Sequence, residues 1–267
     1  MNVAVVGLGL IGGSFEKASR RAGHGVVTLH HGDETGFENA DLVLVCLPPE
    51  AIVPWLKEHG PHLKKGAVAV DIAGVKRAVM DDFARAFPVP PTDWTFVGGH
   101  PMAGREVSGY ANSLETLFDG ASMILVEGEG SVARDKSVAS PLLRDCLESY
   151  FRSLGFAKIV WTSAAHHDAM IAFTSQLCHI IATSYVRDEL VPETLGFSAG
   201  SYANMTRIAT QNADIWSALY ASNRDALVPV LDRFIVRLSE FRDALAAGNV
   251  TAVKAMIDEG AVAKSGK

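Results

Sequence analysis

The segment Gly7-Leu8-Gly9-Leu10-Ile11-Gly12 constrains this chain more than any other. It follows a short apolar run, Val3 to Val6, and opens a stretch of helical spacing that reaches Arg21. G-x-G-x-x-G in that position is the strand–turn–helix signature of a dinucleotide-binding βα unit. The first glycine permits a tight turn, the second lets backbone approach a pyrophosphate, and the third lets helix pack on strand. The helix N-terminus then offers unpaired N–H groups and the positive end of its dipole. Taken alone, the motif could be a glycine turn that only packs.

The pattern downstream favours the binding unit. Val26 to His30, Leu42 to Leu47, Ala67 to Ile72, Phe96 to Gly99 and Ser122 to Val126 read as further strands. Runs apolar on both faces and separated by helical stretches indicate a parallel sheet covered on both sides. Gly32 to Ala40 is too short for a usual parallel crossover, so the helix there is predicted truncated or missing. After Trp161 the β runs cease. Ala164 to Val186 reads as one long helix, apolar nearly all round, with Thr162 or Ser163 as its N-cap. Such a helix is expected to be buried on most sides, in part against a second subunit. Leu227, Leu231, Phe234, Ile235, Leu238, Phe241 and Leu245 repeat at three and four, as in an amphipathic helix. The expected fold is α/β: a Rossmann-like N-terminal domain with a mostly parallel sheet over residues 1–162, and an all-helical C-terminal dimerisation domain over 163–267.

Composition narrows the function classes. A net charge of −6 with no basic block disfavours nucleic acid as a partner. No run of about 18 apolar residues suggests a membrane span. The apolar start is broken by Gly7 and Gly9 and lacks a basic leader, so it reads as a strand rather than a signal peptide. Cys46, Cys146 and Cys178 are odd in number and far apart, with neither disulfide nor metal spacing, which suits a reducing cytoplasm.

The acid that reads a ribose belongs about 20 residues past the glycines. Here that place reads Leu29-His30-His31-Gly32-Asp33, so Asp33 is the candidate. His30 and His31 are the nearby cationic candidates for a 2′-phosphate, but Glu34, Glu38 and Asp41 make the neighbourhood acidic. NAD is therefore favoured, with NADP the alternative. The two histidines have no third ligand within reach, so no metal is expected. Further on, Val97-Gly98-Gly99-His100-Pro101 puts a histidine just past a strand end, where ligands of open α/β sheets sit. Oxidation of a hydroxyl needs a group to take its proton, and histidine titrates in the right range. The bland alternative is a loop histidine capping a turn.

Taken together, the pieces resemble the prephenate dehydrogenase family. They are Gly7 to Gly13, Leu47-Pro48-Pro49, Asp71-Ile72-Ala73-Gly74-Val75-Lys76, Gly99 to Glu106 with Ser108-Gly109, His167-Asp168, Thr174 to His179, Met205 to Ala209, and Trp216. Their order and spacing span nearly the whole chain. The resemblance implies oxidative decarboxylation of prephenate to 4-hydroxyphenylpyruvate, with hydride passing from C4 to a nicotinamide, in a cytoplasmic homodimer of tyrosine biosynthesis. It implies that Leu10, Ile11, Leu47, Pro48 and Ala73 join Gly7, Gly9 and Gly12 along the cofactor. It makes His100 the group that polarises the C4 hydroxyl and Arg207 the fork that binds a substrate carboxylate. Glu106 tunes or gates that arginine, and His179 lies in the substrate pocket. Trp216 matches an aromatic that can approach from the partner subunit.

Ser175, Gln176 and His179 share a helical face with Ala172 at spacings of three and four, and Arg105 is a candidate second carboxylate contact. His167-Asp168 reads as structural, the aspartate favoured by the dipole at its own helix start. Two departures stand out. Gly74 replaces a serine that in many members bonds the catalytic histidine, so a water or a backbone group is expected to orient His100. Gln176 replaces a histidine. After the helical half too little chain remains for an appended regulatory domain, so any feedback would act at the site. The competing classes are an arogenate or amino-prephenate dehydrogenase, a 3-hydroxyacid dehydrogenase, and a dinucleotide sensor without turnover. The second needs a lysine that the first long helix lacks in its interior. Gly74 alone favours the third, against His100, Glu106, His179 and Arg207.

Overall fold

The computed structural model describes residues 1–30, 35–127 and 140–266. Seven strands form one sheet: β1 (Asn2–Val6), β2 (Gly25–Leu29), β3 (Leu42–Val45), β4 (Ala67–Asp71), β5 (Trp94–Pro101), β6 (Ser122–Val126) and β7 (Lys158–Thr162). Their spatial order is β2-β1-β3-β4-β5-β6-β7. All neighbours pair parallel except β5 and β6, which pair antiparallel. β3 and β4 are buried at every residue, as strands covered on both faces must be. β7 is the strand that sequence reasoning missed. It lies at the sheet edge and is nowhere fully buried, although Ile159-Val160-Trp161 is a β-forming apolar run.

Four helices cover the sheet: α1 (Leu10–Arg21), α2 (Pro49–His59), α3 (Arg77–Ala86) and α4 (Pro141–Ser153). Val3 and Val5 join Phe15 of α1 and Phe151 of α4 in one apolar cluster. Ala4 and Val6 join Ile52 of α2 and Phe83 of α3 in the other. The two-residue period of β1 thus feeds both layers, and each fully buried phenylalanine stabilises the fold by about 1.5–3 kcal/mol. Between β2 and β3 no described residue is helical. There Phe37, buried, packs edge-on against Trp55 and His59 of α2, with ring centroids 5.5 and 5.3 Å away. One aromatic side chain covers what a crossover helix would otherwise cover.

Beyond β7 the chain is helical. A continuous run comprises α5 (Ala164–Ile171), a π-helical turn (Ala172–Gln176) and α6 (Leu177–Tyr185). Ser163 caps it, its hydroxyl accepting the His166 N–H at 3.2 Å. Then come α7 (Gly200–Thr206), α8 (Ala213–Ser222), α9 (Arg224–Ala246) and α10 (Val250–Ser265). Leu227 and Val230 of α9 pack on Ala172 and Leu177. Within one chain the first long run is less covered than its composition predicts, because Met170, Phe173 and Tyr185 are exposed. Ile235, Leu238 and Leu245 of α9 and Ile257 of α10 are exposed as well, leaving a broad apolar surface. No described helix is long and apolar enough to cross a membrane.

Candidate active site

The glycine turn lies at the end of β1, where the strand order reverses: β2 stands on one side and β3 on the other. Ligands of open α/β sheets bind at such switch points. Gly7 has φ +88°, and a Cβ there would meet the Cys46 carbonyl oxygen at 2.6 Å. A Cβ on Gly12 would stand 1.9 Å from the Gly7 carbonyl oxygen. The protein itself needs these two glycines. Gly9 differs, because nothing lies within 4 Å of the Cβ it lacks. That open cradle at the α1 N-terminus is what close approach of a pyrophosphate requires. Gly9→Ala is therefore expected to keep Tm within about 1 °C yet weaken nucleotide binding about tenfold or more. Gly12→Ala should lower Tm by about 5 °C or more. Thermal denaturation alongside nucleotide titration separates the two.

Leu10 and Ile11 form the first turn of α1, and Leu47-Pro48 lead from β3 into α2. Ala73, after β4, is buried and donates its N–H to Asp71 Oδ1 at 2.9 Å. His30 is exposed at the end of β2, while His31 and Asp33 lie outside the described residues.

His100 stands inside a strand rather than past its end. β5 pairs with β4 through Val97, then with β6 from Gly98 to Pro101, placing His100 opposite Ile124. A strand that outlasts its parallel neighbour thus carries the imidazole beyond the β4 ladder. A Cβ on Gly99 would sit 2.5 Å from the Asp71 carbonyl oxygen, and one on Gly98 would sit 3.0 Å from Lys76 Cδ. The two glycines let β5 press against the end of β4.

A side chain stands where a partner for His100 was expected. His100 Nδ1 lies 2.9 Å from His167 Nε2, and His167 Nδ1 lies 2.6 Å from Asp168 Oδ1. The Asp168 carboxylate also accepts the backbone N–H groups of Lys76 at 2.8 Å and Arg77 at 2.9 Å. It therefore serves the N-terminus of α3, in the other half of the chain, rather than the start of its own helix. Beside it, Lys76 and Asp71 form a fully buried ion pair. Burial pushes the Lys76 ammonium down and the Asp71 carboxyl up, and their mutual attraction opposes both shifts. Burial, then the neighbouring His167 and Lys76, holds His100 well below the ordinary histidine range. Burial also lowers His167, against the pull of Asp168.

His100 Nε2 faces a different neighbourhood. It lies 3.8 Å from where a Gly74 Cβ would stand, and Leu219 Cδ2 lies 3.6 Å from that same point. Three residues before Leu219 on α8, Trp216 meets the His179 ring at a centroid distance of 3.9 Å. Trp216 thus reaches His179 within one chain. His179 Nδ1 donates to the Ile208 carbonyl at 3.0 Å, and burial lowers its pKa. The preceding residue, Arg207, pairs with Glu106 from the loop after β5, and both side chains are exposed. So α8 links His100 at one end with His179, Arg207 and Glu106 at the other.

The remaining candidates stand apart. Gln176 is buried: its Oε1 accepts from Asn223 Nδ2 at 2.7 Å, and its Nε2 donates to the Leu219 carbonyl at 3.4 Å. Asn223 Nδ2 also donates to the Asp168 carbonyl at 3.0 Å, so these residues brace one another. Because a π turn closes i→i+5 bonds, spacings of three and four no longer guarantee one face. Ala172 and Gln176 are buried, while Ser175 and His179 are half-buried. Arg105 donates to the Asn112 carbonyl at 3.0 Å rather than joining Arg207. His167, Asp168 and Asn223 are the contributors that sequence reasoning missed. The one available signal was an adjacent pair of titratable residues inside an otherwise apolar helix.

Residues 6–146 match the family described as prephenate dehydrogenase, nucleotide-binding domain, and residues 163–259 match prephenate dehydrogenase, dimerization domain. A cyclohexadienyl dehydrogenase of Zymomonas mobilis is 30% identical, over 92% of this chain and 89% of its own. A prephenate dehydrogenase of Bacillus subtilis is 28% identical, over 90% of this chain and 69% of its own. Among solved structures, an arogenate dehydrogenase of Synechocystis superposes with a TM-score of 0.81 at 23% identity, covering 99% of both chains. A prephenate dehydrogenase of A. aeolicus, in complex with hydroxyphenyl propionate and NAD+, gives 0.79 at 22% identity, covering 99% of this chain and 97% of that one.

Proposed function

Because the chain belongs to the prephenate dehydrogenase family, we propose that it is the NAD-dependent oxidoreductase that converts prephenate to 4-hydroxyphenylpyruvate with loss of carbon dioxide. The observation that carries this reading is His100, whose ring is held through Nδ1 by His167 and turns Nε2 toward Gly74, a residue with no side chain to cover it. The open cradle at Gly9 fits a dinucleotide, and Gly7, Gly12, Leu10, Ile11, Leu47, Pro48 and Ala73 would hold it, with His30 at the end of β2. When bound, NAD supplies the hydride acceptor.

The chain's own residues do the rest. His100, neutral, accepts the proton of the C4 hydroxyl as the carbonyl develops, which favours loss of the ring carboxylate and aromatisation. Arg207 offers a rigid bidentate fork to a substrate carboxylate. Glu106 holds that fork until a carboxylate arrives, and Arg105 on the same loop is a second cation. His179 and Trp216 line the pocket, and Gln176 braces α8 through the Leu219 carbonyl. We place the boundary between the two units at 162/163. The apolar surface of the helical unit pairs two copies into a homodimer. A cytoplasmic location is supported by three free cysteines, Cys46, Cys146 and Cys178.

The test is absorbance at 340 nm with prephenate and arogenate, each with NAD and NADP. Strong reduction is expected with prephenate and NAD. Arogenate turnover alone would move the substrate to the amino analogue, and silence in all four while NAD still binds would sink the reading. The pH dependence has a definite sign. Protonated His100 cannot accept a proton, and burial lowers its pKa, so kcat/KM should stay level through pH ~6.5 and fall only below it. An acid limb centred at or above that value would count against His100 as the base.

A further inference from the structure

Asp168 accepts three hydrogen bonds, two from backbone N–H groups and one from His167 Nδ1. A backbone N–H can only donate, so the carboxylate is engaged as an acceptor on both oxygens, and His167 must carry its proton on Nδ1. The neutral ring then has only a lone pair on Nε2. His100 Nδ1, 2.9 Å away, must therefore be the donor in that contact. That leaves the lone pair of His100 on Nε2, the nitrogen on the Gly74 side, 3.8 Å from where a Cβ on that residue would stand. The opposite tautomer of His100 would set two lone pairs against each other inside the protein.

We propose that His167 and Asp168 are positioning residues that hold His100 in the Nδ1–H tautomer and so point its basic nitrogen at the substrate hydroxyl. The inference rests on the reading of His100 as the base, and it gives the orienting partner that the missing serine side chain at Gly74 left open. Every member is fixed independently. Asp168 is held by the start of α3 and by Asn223 on its carbonyl, and His167 is buried within α5. Neither touches the space where the substrate would lie, so their influence passes through His100. The buried Lys76–Asp71 side-chain pair flanks the chain of bonds, which Lys76 joins through its backbone N–H.

Long-range 1H–15N correlation on histidine-labelled protein without substrate reads the tautomers directly, with signals assigned from His100→Asn and His167→Gln. Both His100 and His167 are expected in the Nδ1–H form at neutral pH. A His100 protonated on Nε2 in the wild-type protein would overturn the proposal. Kinetics give an independent reading. His167→Leu removes the acceptor and should lower kcat about tenfold to a hundredfold, with KM within about twofold, because a wrong tautomer disables a general base. His167→Gln puts an amide oxygen where Nε2 stood and should recover kcat to within about fivefold of wild type. A His167→Leu protein that folds and turns over like wild type would refute the positioning role and leave His100 as the base. An active His100→Asn would instead refute the base itself. If the leucine variant does not fold, the wild-type tautomers and the glutamine variant still decide.

Discussion

Replacement of His100 by asparagine is expected to lower kcat about a thousandfold while nucleotide affinity stays within about twofold. Asparagine keeps a polar group of similar reach on Cβ, so β5 and its pairing with β6 need not change. It cannot accept a full proton. General base catalysis is worth roughly a hundredfold to ten-thousandfold, and the middle of that range is appropriate for a single well-placed base. The variant also removes the imidazole that His167 contacts, yet His167 keeps its stronger partner, Asp168, so the fold should hold. The glycine turn belongs to β1 and α1, whereas His100 belongs to β5. Stopped-flow reduction at 340 nm and NAD titration together check the result. Loss of both activity and NAD binding would point to misfolding, and near-normal kcat would end the assignment.

Replacement of Arg207 by alanine is expected to raise the prephenate KM about a hundredfold, with a smaller change in kcat. A carboxylate held by a guanidinium fork makes two charge-assisted bonds, together worth about 3 kcal/mol in a site of mixed exposure. That converts to a factor of about a hundred in affinity. The same substitution should barely touch stability. Arg207 and Glu106 are 63% and 53% exposed, and an exposed ion pair contributes at most about 1 kcal/mol. Arg207→Lys should fall between, since an ammonium is a point charge without the fork. Initial rates against prephenate concentration, with melting curves as control, decide the matter. An unchanged KM in the alanine variant would remove Arg207 from the substrate site.

How much of this could be read from the residues follows a physical line. The glycine turn was legible because its chemistry is local: strand, turn and helix lie within Asn2 to Arg21. The inner strands were legible because burial on both faces demands unbroken apolar runs, as in β3 and β4. β7 was missed although Ile159-Val160-Trp161 is such a run, because it is short and abuts the helical half at Ser163. A truncated crossover was predicted from length alone, and among the described residues none there is helical, but the packing of Phe37 was not legible, since it depends on Trp55 and His59 arriving from α2. The π turn escaped because its sequence is compatible with an ordinary helix. The site divides the same way. His100 was legible beside its glycines, although β5 runs farther than its apolar core suggests. The roles of His167 and Asp168 were not, because their partners lie 67 and 92 residues away in the chain. Only tertiary packing brings such groups together, and no local pattern announces it.

The bonds from Asp168 to the start of α3 bear on how the molecule assembles. The carboxylate belongs to the helical half, whereas the two amides it satisfies and the ring that His167 steadies belong to the sheet. A chain whose sheet has formed but whose helices have not yet docked would already possess a complete nucleotide turn. It would have an unanchored imidazole and two orphan amides at the mouth of α3. In such a chain the nucleotide turn would be whole while the imidazole still lacked its partner, so the two halves of the proposed site depend on docking to different degrees.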